Sequence, residues 1–314
     1  MRRELTTHGR AYRVGALAMV VTLAVGGWLG TIADPAEAAF PGRNGKIAFV
    51  SAGNIWTMNP DGTGRKQLTT AGGEMPAWSP NGRQLAFVRN TLTGGSEIFT
   101  MSADGSNQRN RSKNEFQDFQ PAWSPNGKQI AFVSSRTGDG DIYRMNADGS
   151  HQKRLTTNPQ GDTEPAWSPS GGKIAFVSRR EGQDQTFDDD IYAMNPDGSN
   201  QTNLTNHPGG GERSPAWSPN GKEIAFRDIR SPSTGWDIFA MPAAGGEPIN
   251  LTANGSGSFN PAWSPDGKLI VFGRDRQDGS ALELYTILAT GGDEKSITNE
   301  GTGDADPDWQ PKPR

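Results

Sequence analysis

The chain repeats one short motif. Pro-Ala-Trp-Ser-Pro occurs five times, and a divergent copy lies near the end: Pro76–Pro80, Pro121–Pro125, Pro165–Pro169, Pro215–Pro219, Pro261–Pro265 and Pro307–Pro311. The six motif tryptophans are 44 to 50 residues apart, and a period of this length indicates a repeat architecture. A hydrophobic fraction of 32% with 41 Gly and 22 Pro would otherwise suggest disorder. Here the Gly and Pro occupy fixed turn positions, so we expect a folded array.

Each repeat predicts four short antiparallel strands, named A to D in chain order. In the third unit strand A contains Trp123, and the Asn126-Gly127 turn leads to strand B, Gln129–Val133. Strand C is Asp141–Met145, and a second turn at Asp148-Gly149 precedes strand D. Asn-Gly and Asp-Gly supply the positive φ angles that tight turns need. No repeat shows a helix pattern of useful length.

Four-stranded units of about 46 residues over residues 39–314 predict an all-β, six-bladed β-propeller. The first B–C–D set has no tryptophan motif before it, and the copy around Trp309 has no strand B after it. We therefore expect the C-terminal strand to complete the first blade and close the ring. The stripes of Trp and Met are interpreted as packing between blades, not as a cofactor site.

The repeat resembles the TolB-type propeller repeat, whose signature runs Asp-x-x-Pro-x-Trp-Ser-Pro-Asp-Gly-x-x-Ile-Ala-Phe. Asp118 through Phe132 matches it, with Asn126 at the Asp turn position, and the resemblance covers residues 40–311. It implies a six-bladed propeller that binds proteins or peptides around its central channel. The family also includes propellers fused to serine peptidases and related sugar-active lyases. True TolB proteins carry an α/β domain before the propeller, whereas here the repeats begin directly after the N-terminal segment, so the resemblance implies fold more than pathway.

Residues 1–38 have the pattern of a signal peptide. Four arginines precede an apolar run over 14–30, and Ala36-Glu37-Ala38 has the small-x-small pattern of a cleavage site. We expect cleavage after Ala38 and export to the cell envelope, the periplasm or the outside of the cell. The alternative is an uncleaved anchor, which would be the chain's one membrane contact.

Composition argues against several functions. The formal net charge is −4, with no basic stripe for nucleic acid, and no Cys for thiol chemistry. The three histidines, His8, His151 and His207, are isolated in sequence, so neither a metal site nor an enzyme is predicted, and His151 and His207 are expected to be solvated surface residues. The motif serines recur once per unit and are interpreted as turn residues. A monomer is expected.

Two charged positions should meet at one end of the A–B hairpin. Five residues before the tryptophan stand Asp118, Asp162, Glu212 and Asp304, and four residues after the strand-B Phe stand Arg136, Arg180, Arg230 and Arg276. The favoured interpretation is a structural ion pair in each blade, and the alternative is a charged rim that binds a ligand. Asp304 lacks an arginine and Arg276 lacks an acid in this scheme, which makes these two the candidates for ligand contact.

The position three residues before the tryptophan differs in every unit and is predicted to line the channel: Met75, Gln120, Glu164, Ser214, Asn260 and Asp306. The B–C loops vary most, so their face is the predicted recognition face. Trp236 lies in one of these loops, either exposed for stacking or folded back. The acidic loop Glu181–Asp190, with Asp184, Asp188 and Asp189, could hold Ca²⁺, although a solvated acidic loop is favoured.

These patterns predict an exported, non-enzymatic propeller that binds a protein or peptide at the channel mouth and B–C loop face. The predicted contact residues are Gln120, Glu164, Trp236, Asn260, Arg276, Asp304 and Asp306. The alternative is a carbohydrate-binding propeller, favoured if Trp236 is exposed; a lyase or hydrolase is a weaker alternative.

Overall fold

A computed structural model describes residues 40–91, 94–180, 189–207, 210–229, 235–253, 257–276, 281–299 and 301–312. Within these residues, twenty-four strands form six four-stranded antiparallel sheets. The predicted signal peptide, residues 1–38, lies outside the described part of the chain. None of the described residues forms a helix long and apolar enough to cross a membrane.

The first three blades follow the predicted A–B–C–D order. Their strands are β1 (Arg43–Ser51), β2 (Asn54–Met58), β3 (Lys66–Gln67), β4 (Glu74–Trp78), β5 (Gln84–Asn90), β6 (Ser96–Ser102), β7 (Arg109–Asn110), β8 (Asp118–Trp123), β9 (Gln129–Ser134), β10 (Asp141–Asn146) and β11 (Lys153–Arg154). Blade 1 begins with β1 as strand B, because its strand A comes from the other end of the chain.

The last three blades repeat the arrangement. Their strands are β12 (Asp162–Trp167), β13 (Ile174–Ser178), β14 (Asp190–Met194), β15 (Thr202–Asn203), β16 (Arg213–Trp217), β17 (Glu223–Asp228), β18 (Asp237–Pro242), β19 (Ile249–Asn250), β20 (Ser258–Trp263), β21 (Leu269–Asp275), β22 (Leu282–Leu288) and β23 (Lys295–Ser296). The last strand of the chain, β24 (Ala305–Lys312), belongs to blade 1. Each strand D has two residues, which leaves only a short outer edge for unwanted pairing.

The ring closes as predicted. β24 pairs with β1, with Ile47 opposite Trp309 and Ala48 opposite Asp308, so blade 1 has the strand order β24-β1-β2-β3. The A strands contact one another around the axis, from β4 through β8, β12, β16 and β20 to β24 and back to β4. The first blade therefore joins the two ends of the described chain.

The alternation of residues along the strands explains how blades pack. In blade 3, Trp123, Phe132 and Met145 pack against blade 2, whereas Ala131 and Ile142 face blade 4. Side chains two residues apart share a face of a strand, so one face of each sheet presents large side chains and the other face presents smaller ones. The Trp and Met stripes are core, as the sequence indicated.

The turns use the predicted glycines. In the C–D turn of blade 3, Gly149 has a φ of 93°, and a Cβ there would lie 2.3 Å from the carbonyl oxygen of Arg111 in blade 2. Asp148 Oδ1 accepts hydrogen bonds from the amide and the hydroxyl of Ser150, and these bonds lower the pKa of Asp148. A side chain at Gly149 would therefore disturb both the turn and the contact between blades.

Candidate functional site

Loop lengths define two different faces of the ring. The B–C loops range from two residues between β1 and β2 (52–53) to eleven between β13 and β14 (179–189). The A–B turns contain five or six residues where strands A and B are consecutive in the chain, and the C–D connections contain six or seven. We call the face with the B–C loops and D–A connections the variable face. Loop variation on this rigid ring is confined to that face.

The predicted channel residues form a ring of left-handed backbone positions. Their φ angles lie between 49° and 56°, and all six side chains are buried: Met75, Gln120, Glu164, Ser214, Asn260 and Asp306. In each blade the A–B register shifts across this residue, which is a β-bulge. A positive φ is uncommon for residues other than Gly, so this ring stores backbone strain that the surrounding packing must offset.

Four of these side chains link one blade to the next. Gln120 Oε1 accepts a hydrogen bond of 3.0 Å from the amide of Glu164, and Glu164 Oε2 accepts one from the amide of Ser214. Ser214 Oγ donates to Asn260 Oδ1 at 3.2 Å, and Asn260 Nδ2 donates to Asp306 Oδ1 at 2.8 Å. The residues predicted to bind a ligand are thus engaged in joining blades 3, 4, 5, 6 and 1.

The predicted ion pairs form in the two blades where both partners are described. Arg136 Nη2 lies 3.3 Å from Asp118 Oδ2, and Arg180 Nη2 lies 3.0 Å from Asp162 Oδ1. Both carboxylates are fully buried. The predicted partner of Glu212, Arg230, lies outside the described residues.

Two of the sequence predictions about free charges are wrong. Asp304 has an arginine partner: Arg65 Nη1 donates to Asp304 Oδ2 at 2.9 Å and Arg65 Nη2 donates to Oδ1 at 3.0 Å. Arg276 has an acid partner, because its Nη1 lies 2.9 Å from Glu283 Oε1. Both predictions failed because the partner comes from strand C or from just before strand D, outside the A–B hairpin that the sequence comparison considered.

Arginines also cover the aromatic pairs of strands B and C. In five blades a guanidinium carbon lies 4.5 to 5.8 Å from the ring centroids of that pair: Arg65, Arg89, Arg136, Arg180 and Arg274. These distances are within the range of cation–π attraction. The five residues come from three different positions of the repeat, so this feature was not visible in the repeat alignment.

Trp236 is folded back onto the propeller. Its indole is half-buried, and the guanidinium of Arg227 lies 5.0 Å from the ring centroid. A Cβ at Gly211 would lie 2.9 Å from the indole, so the absence of a side chain at Gly211 allows the indole to lie against the backbone there. Of the two sequence interpretations, the structure has the one in which Trp236 covers its own blade.

At the described end of the acidic loop, the two aspartates are paired with other side chains of the protein. Asp189 Oδ1 accepts from Arg179 Nε at 2.6 Å, and Asp189 Oδ2 lies 2.5 Å from Arg213 Nη2. Asp190 accepts hydrogen bonds from Asn203 and from Thr205. The predicted Ca²⁺ ligands Asp184 and Asp188 lie outside the described residues, as do the other positions of 181–188.

One polar cluster was missed by the sequence reasoning. His207, Glu212 and Asp228 each offer a ligand-type atom, and these atoms lie within 4.8 Å of one another. His207 Nδ1 is 3.8 Å from Glu212 Oε1, and both carboxylates are fully buried. His207 was expected to be solvated, but only part of its ring is exposed. By contrast His151 is exposed, as expected.

A second missed residue is Phe116, on the D–A connection before β8. Its side chain is 47% exposed, and Ile249 on strand β19 is the other large hydrophobic side chain found exposed within the described ranges. Phe116 lies on the variable face, next to the B–C loop of blade 2, because a Cβ at Gly95 would be 2.8 Å from the Phe116 carbonyl oxygen. Close by, burial raises the pKa of Glu97, which accepts hydrogen bonds from Ser112 and from the Asn114 amide.

The motif serines are turn residues, as predicted. Ser124 Oγ donates to Asn126 Oδ1 at 2.9 Å and accepts a bond of 2.9 Å from the amide of Gln129. Equivalent bonds form at Ser79, Ser218 and Ser264. A serine used in this way is held by its turn and carries no sign of activation as a nucleophile.

These features define a class: a closed, six-bladed, all-β propeller whose variation is concentrated on one face. The chain belongs to the TolB beta propeller domain family, whose profile matches residues 46–226 and 191–314. No curated protein matches the chain.

Solved structures agree with this assignment. TolB from Acinetobacter baumannii aligns with a TM-score of 0.72 at 21% identity, covering 85% of this chain and 67% of that one. A chain of a nidogen/laminin complex aligns with a TM-score of 0.68 at 13% identity, covering 86% of this chain and 99% of that one. Hydrazine synthase from Kuenenia stuttgartiensis gives 0.69 at 16%, covering 88% and 48%. At these identities the likeness shows the fold alone, and the fold occurs in enzymes as well as in other proteins.

Proposed function

We propose that this protein is an exported, non-enzymatic propeller that binds a protein or peptide through its variable face. The observation that carries the proposal is the confinement of loop variation to that face: the B–C loops span two to eleven residues, while the opposite turns are nearly constant. A rigid scaffold with variable loops at one end is the usual arrangement of a recognition surface. The basic and apolar N-terminal segment supports export.

The structural neighbours are consistent with a protein partner. One of them is a chain in a nidogen/laminin complex, and the family is named for TolB. The carbohydrate alternative depended on an exposed Trp236, and the half-buried indole over Arg227 does not favour it.

The predicted contact residues take different parts in this proposal. Arg276 and Trp236 are partly exposed on the variable face, so we assign them to direct contact, together with Phe116. The channel residues, such as Glu164 and Asn260, are buried in the hydrogen-bonded ring and set the shape of the mouth. Trp and Arg are enriched among the residues that contribute most to the binding energy of protein interfaces.

The test compares two exposed hydrophobic residues. The wild-type protein, Phe116→Ser and Ile249→Ser are immobilised and exposed to an envelope extract, and retained proteins are identified by mass spectrometry. We expect a retained protein whose capture is lost with Phe116→Ser and kept with Ile249→Ser, because Ile249 lies on the outer strand of blade 5. Equal retention by all three baits, or no retained protein, would contradict binding at the variable face.

A further inference from the structure

Blade 5 departs from its neighbours at three positions that lie together. In blade 4 the equivalent cluster is Asn158, Asp162 and Ser178, where Asn158 Nδ2 lies 3.4 Å from Asp162 Oδ1 and 3.3 Å from Ser178 Oγ. Blade 3 has the same residue types, Asn114, Asp118 and Ser134. At these three positions both blades have one carboxylate and two neutral side chains, and the carboxylate is paired with an arginine, Arg136 or Arg180.

In blade 5 these three positions are occupied by His207, Glu212 and Asp228. The asparagine position has become an imidazole and the serine position a second carboxylate. Each replacement exchanges a weak metal ligand for a strong one, and no other blade has this combination. The change is also electrostatic, because the cluster now contains two carboxylates instead of one.

The geometry brings the three groups to one point. Their ligand atoms lie within 4.8 Å of one another, and His207 Nδ1 is 3.8 Å from Glu212 Oε1. A tetrahedral ion with bonds of about 2.1 Å holds its ligand atoms about 3.4 Å apart, so small side-chain movements would complete the site. A Cβ at Gly210 would lie 2.7 Å from His207 Nδ1 and 2.6 Å from Glu212 Oε2, so the glycine keeps the space between them open.

The imidazole nitrogen supplies an independent indication. His207 Nδ1 is buried and makes no hydrogen bond to any group within the described residues. A buried polar atom usually has a partner, and a bound metal ion would be such a partner for His207 Nδ1. The backbone at His207 is anchored, since the His207 amide donates a hydrogen bond to Asp190 Oδ1 at 3.3 Å.

We propose that His207, Glu212 and Asp228 bind a divalent transition-metal ion at the junction of blades 4 and 5, on the variable face. Imidazole with carboxylates suits Zn²⁺ or Mn²⁺, whereas Ca²⁺ prefers oxygen ligands. Three protein ligands leave at least one coordination position for water or for a group of a bound molecule. The proposal does not depend on the identity of any protein partner.

The experiment measures metal binding directly. The purified protein is treated with a chelator, dialysed, and titrated with Zn²⁺, Mn²⁺ and Ca²⁺ by isothermal calorimetry, with metal content checked after dialysis. We expect one equivalent of Zn²⁺ or Mn²⁺ and much weaker binding of Ca²⁺. His207→Ala and Asp228→Ser should each lower the affinity at least about tenfold. Asp228→Ser restores the residue of blades 3 and 4, so it should still fold.

Three further variants make the result specific. His151→Ala removes an exposed imidazole and should leave binding unchanged. Asn158→His combined with Ser178→Asp transfers the blade 5 residues to blade 4 and should add a second equivalent. Arg230→Ala removes a cation at the repeat position of Arg136, and affinity should stay the same or rise.

Two results would overturn the proposal. The first is that the wild-type protein binds neither Zn²⁺ nor Mn²⁺, and this holds even if the Arg230→Ala variant binds one of them. The second is binding that His207→Ala and Asp228→Ser leave unchanged while both variants keep the wild-type circular dichroism spectrum. A rise of the melting temperature with Zn²⁺ in the wild type alone would support the same site by mass action.

Discussion

The closing strand contains a residue that departs from the repeat and joins two blades. In the other five copies the residue before the motif tryptophan is alanine: Ala77, Ala122, Ala166, Ala216 and Ala262. In β24 it is Asp308, which is buried and whose Oδ2 accepts a hydrogen bond of 2.6 Å from the amide of Trp78. This bond links blade 1 to blade 2, on the side of the ring where the two ends of the chain meet.

We predict that Asp308→Ala destabilises the protein although it restores the repeat's own residue. The substitution leaves the buried Trp78 amide without this acceptor, which costs about 1–3 kcal/mol. For a chain of this size each kcal/mol lowers the melting temperature by about 2–4 °C. Asp308→Asn keeps a carbonyl oxygen as acceptor and should recover more than half of the loss.

Urea unfolding followed by tryptophan fluorescence measures the effect, with thermal unfolding as a second probe. Lys312→Ala, at the exposed end of the same strand, is the control and should change the unfolding free energy by less than about 0.5 kcal/mol. If Asp308→Ala is as stable as the wild type or more stable, the hydrogen bond to Trp78 contributes nothing to closure and the reasoning is refuted.

Three other perturbations test the ring. Trp309→Ala should cost about 3–5 kcal/mol, as should Trp78→Ala, because both side chains are buried between blades; a much smaller loss at Trp309 in urea unfolding would mean that β24 is only loosely attached. Arg65→Gln should cost about 1.5–3 kcal/mol in the same assay, since it removes a two-bond pair from buried Asp304, and an unchanged midpoint would show that the pair contributes little. Burial raises the pKa of Glu74, so its ionisation destabilises the fold. At pH values above the folded-state pKa of Glu74, the substitution Glu74→Gln should therefore raise the melting temperature. The gain should vanish below about pH 4.3, where the carboxyl is protonated in both states, and a gain that persists at pH 3 would exclude this cause.

The repeat pattern predicted the fold because the turns and the strand faces are determined by residues close together in sequence. Each Asn-Gly or Asp-Gly pair fixes a turn, and each alternating run fixes which side chains face a neighbouring blade, as at Gly127 and Phe132. Counting tryptophan motifs against B–C–D sets was enough to predict closure by the strand around Trp309. All these inferences depend on residues close together in sequence or on the count of units.

The candidate site was less predictable, because its contacts run between blades. Nothing in the residue types at Met75, Gln120 or Glu164 signals a left-handed backbone, since Gly, the usual indicator, is absent from all six positions. The hydrogen bonds of the Gln120 and Glu164 side chains also cross from one blade to the next, to residues 44 and 50 positions away. The His207 cluster was not predictable for the same reason: its three members come from different parts of the blade. His207 and Glu212 lie on a D–A connection, Glu212 directly before strand A, and Asp228 ends a strand B.

The arginines show why comparing repeats by position alone misassigns free charges. Arg136 and Arg180 extend from the B–C loop, two residues after strand B, to the aromatic pair of their blade. Arg89 reaches the same point from two residues earlier in the repeat, and Arg65 reaches it from just before strand D. A long side chain can deliver its guanidinium to one location from several backbone positions, and the attraction to the ring face depends only on where the charge is. These blades therefore share the position of a guanidinium over the aromatic pair, although the arginine that supplies it comes from different positions of the repeat. For this reason Asp304, which has no arginine at the expected position, is nevertheless paired by Arg65.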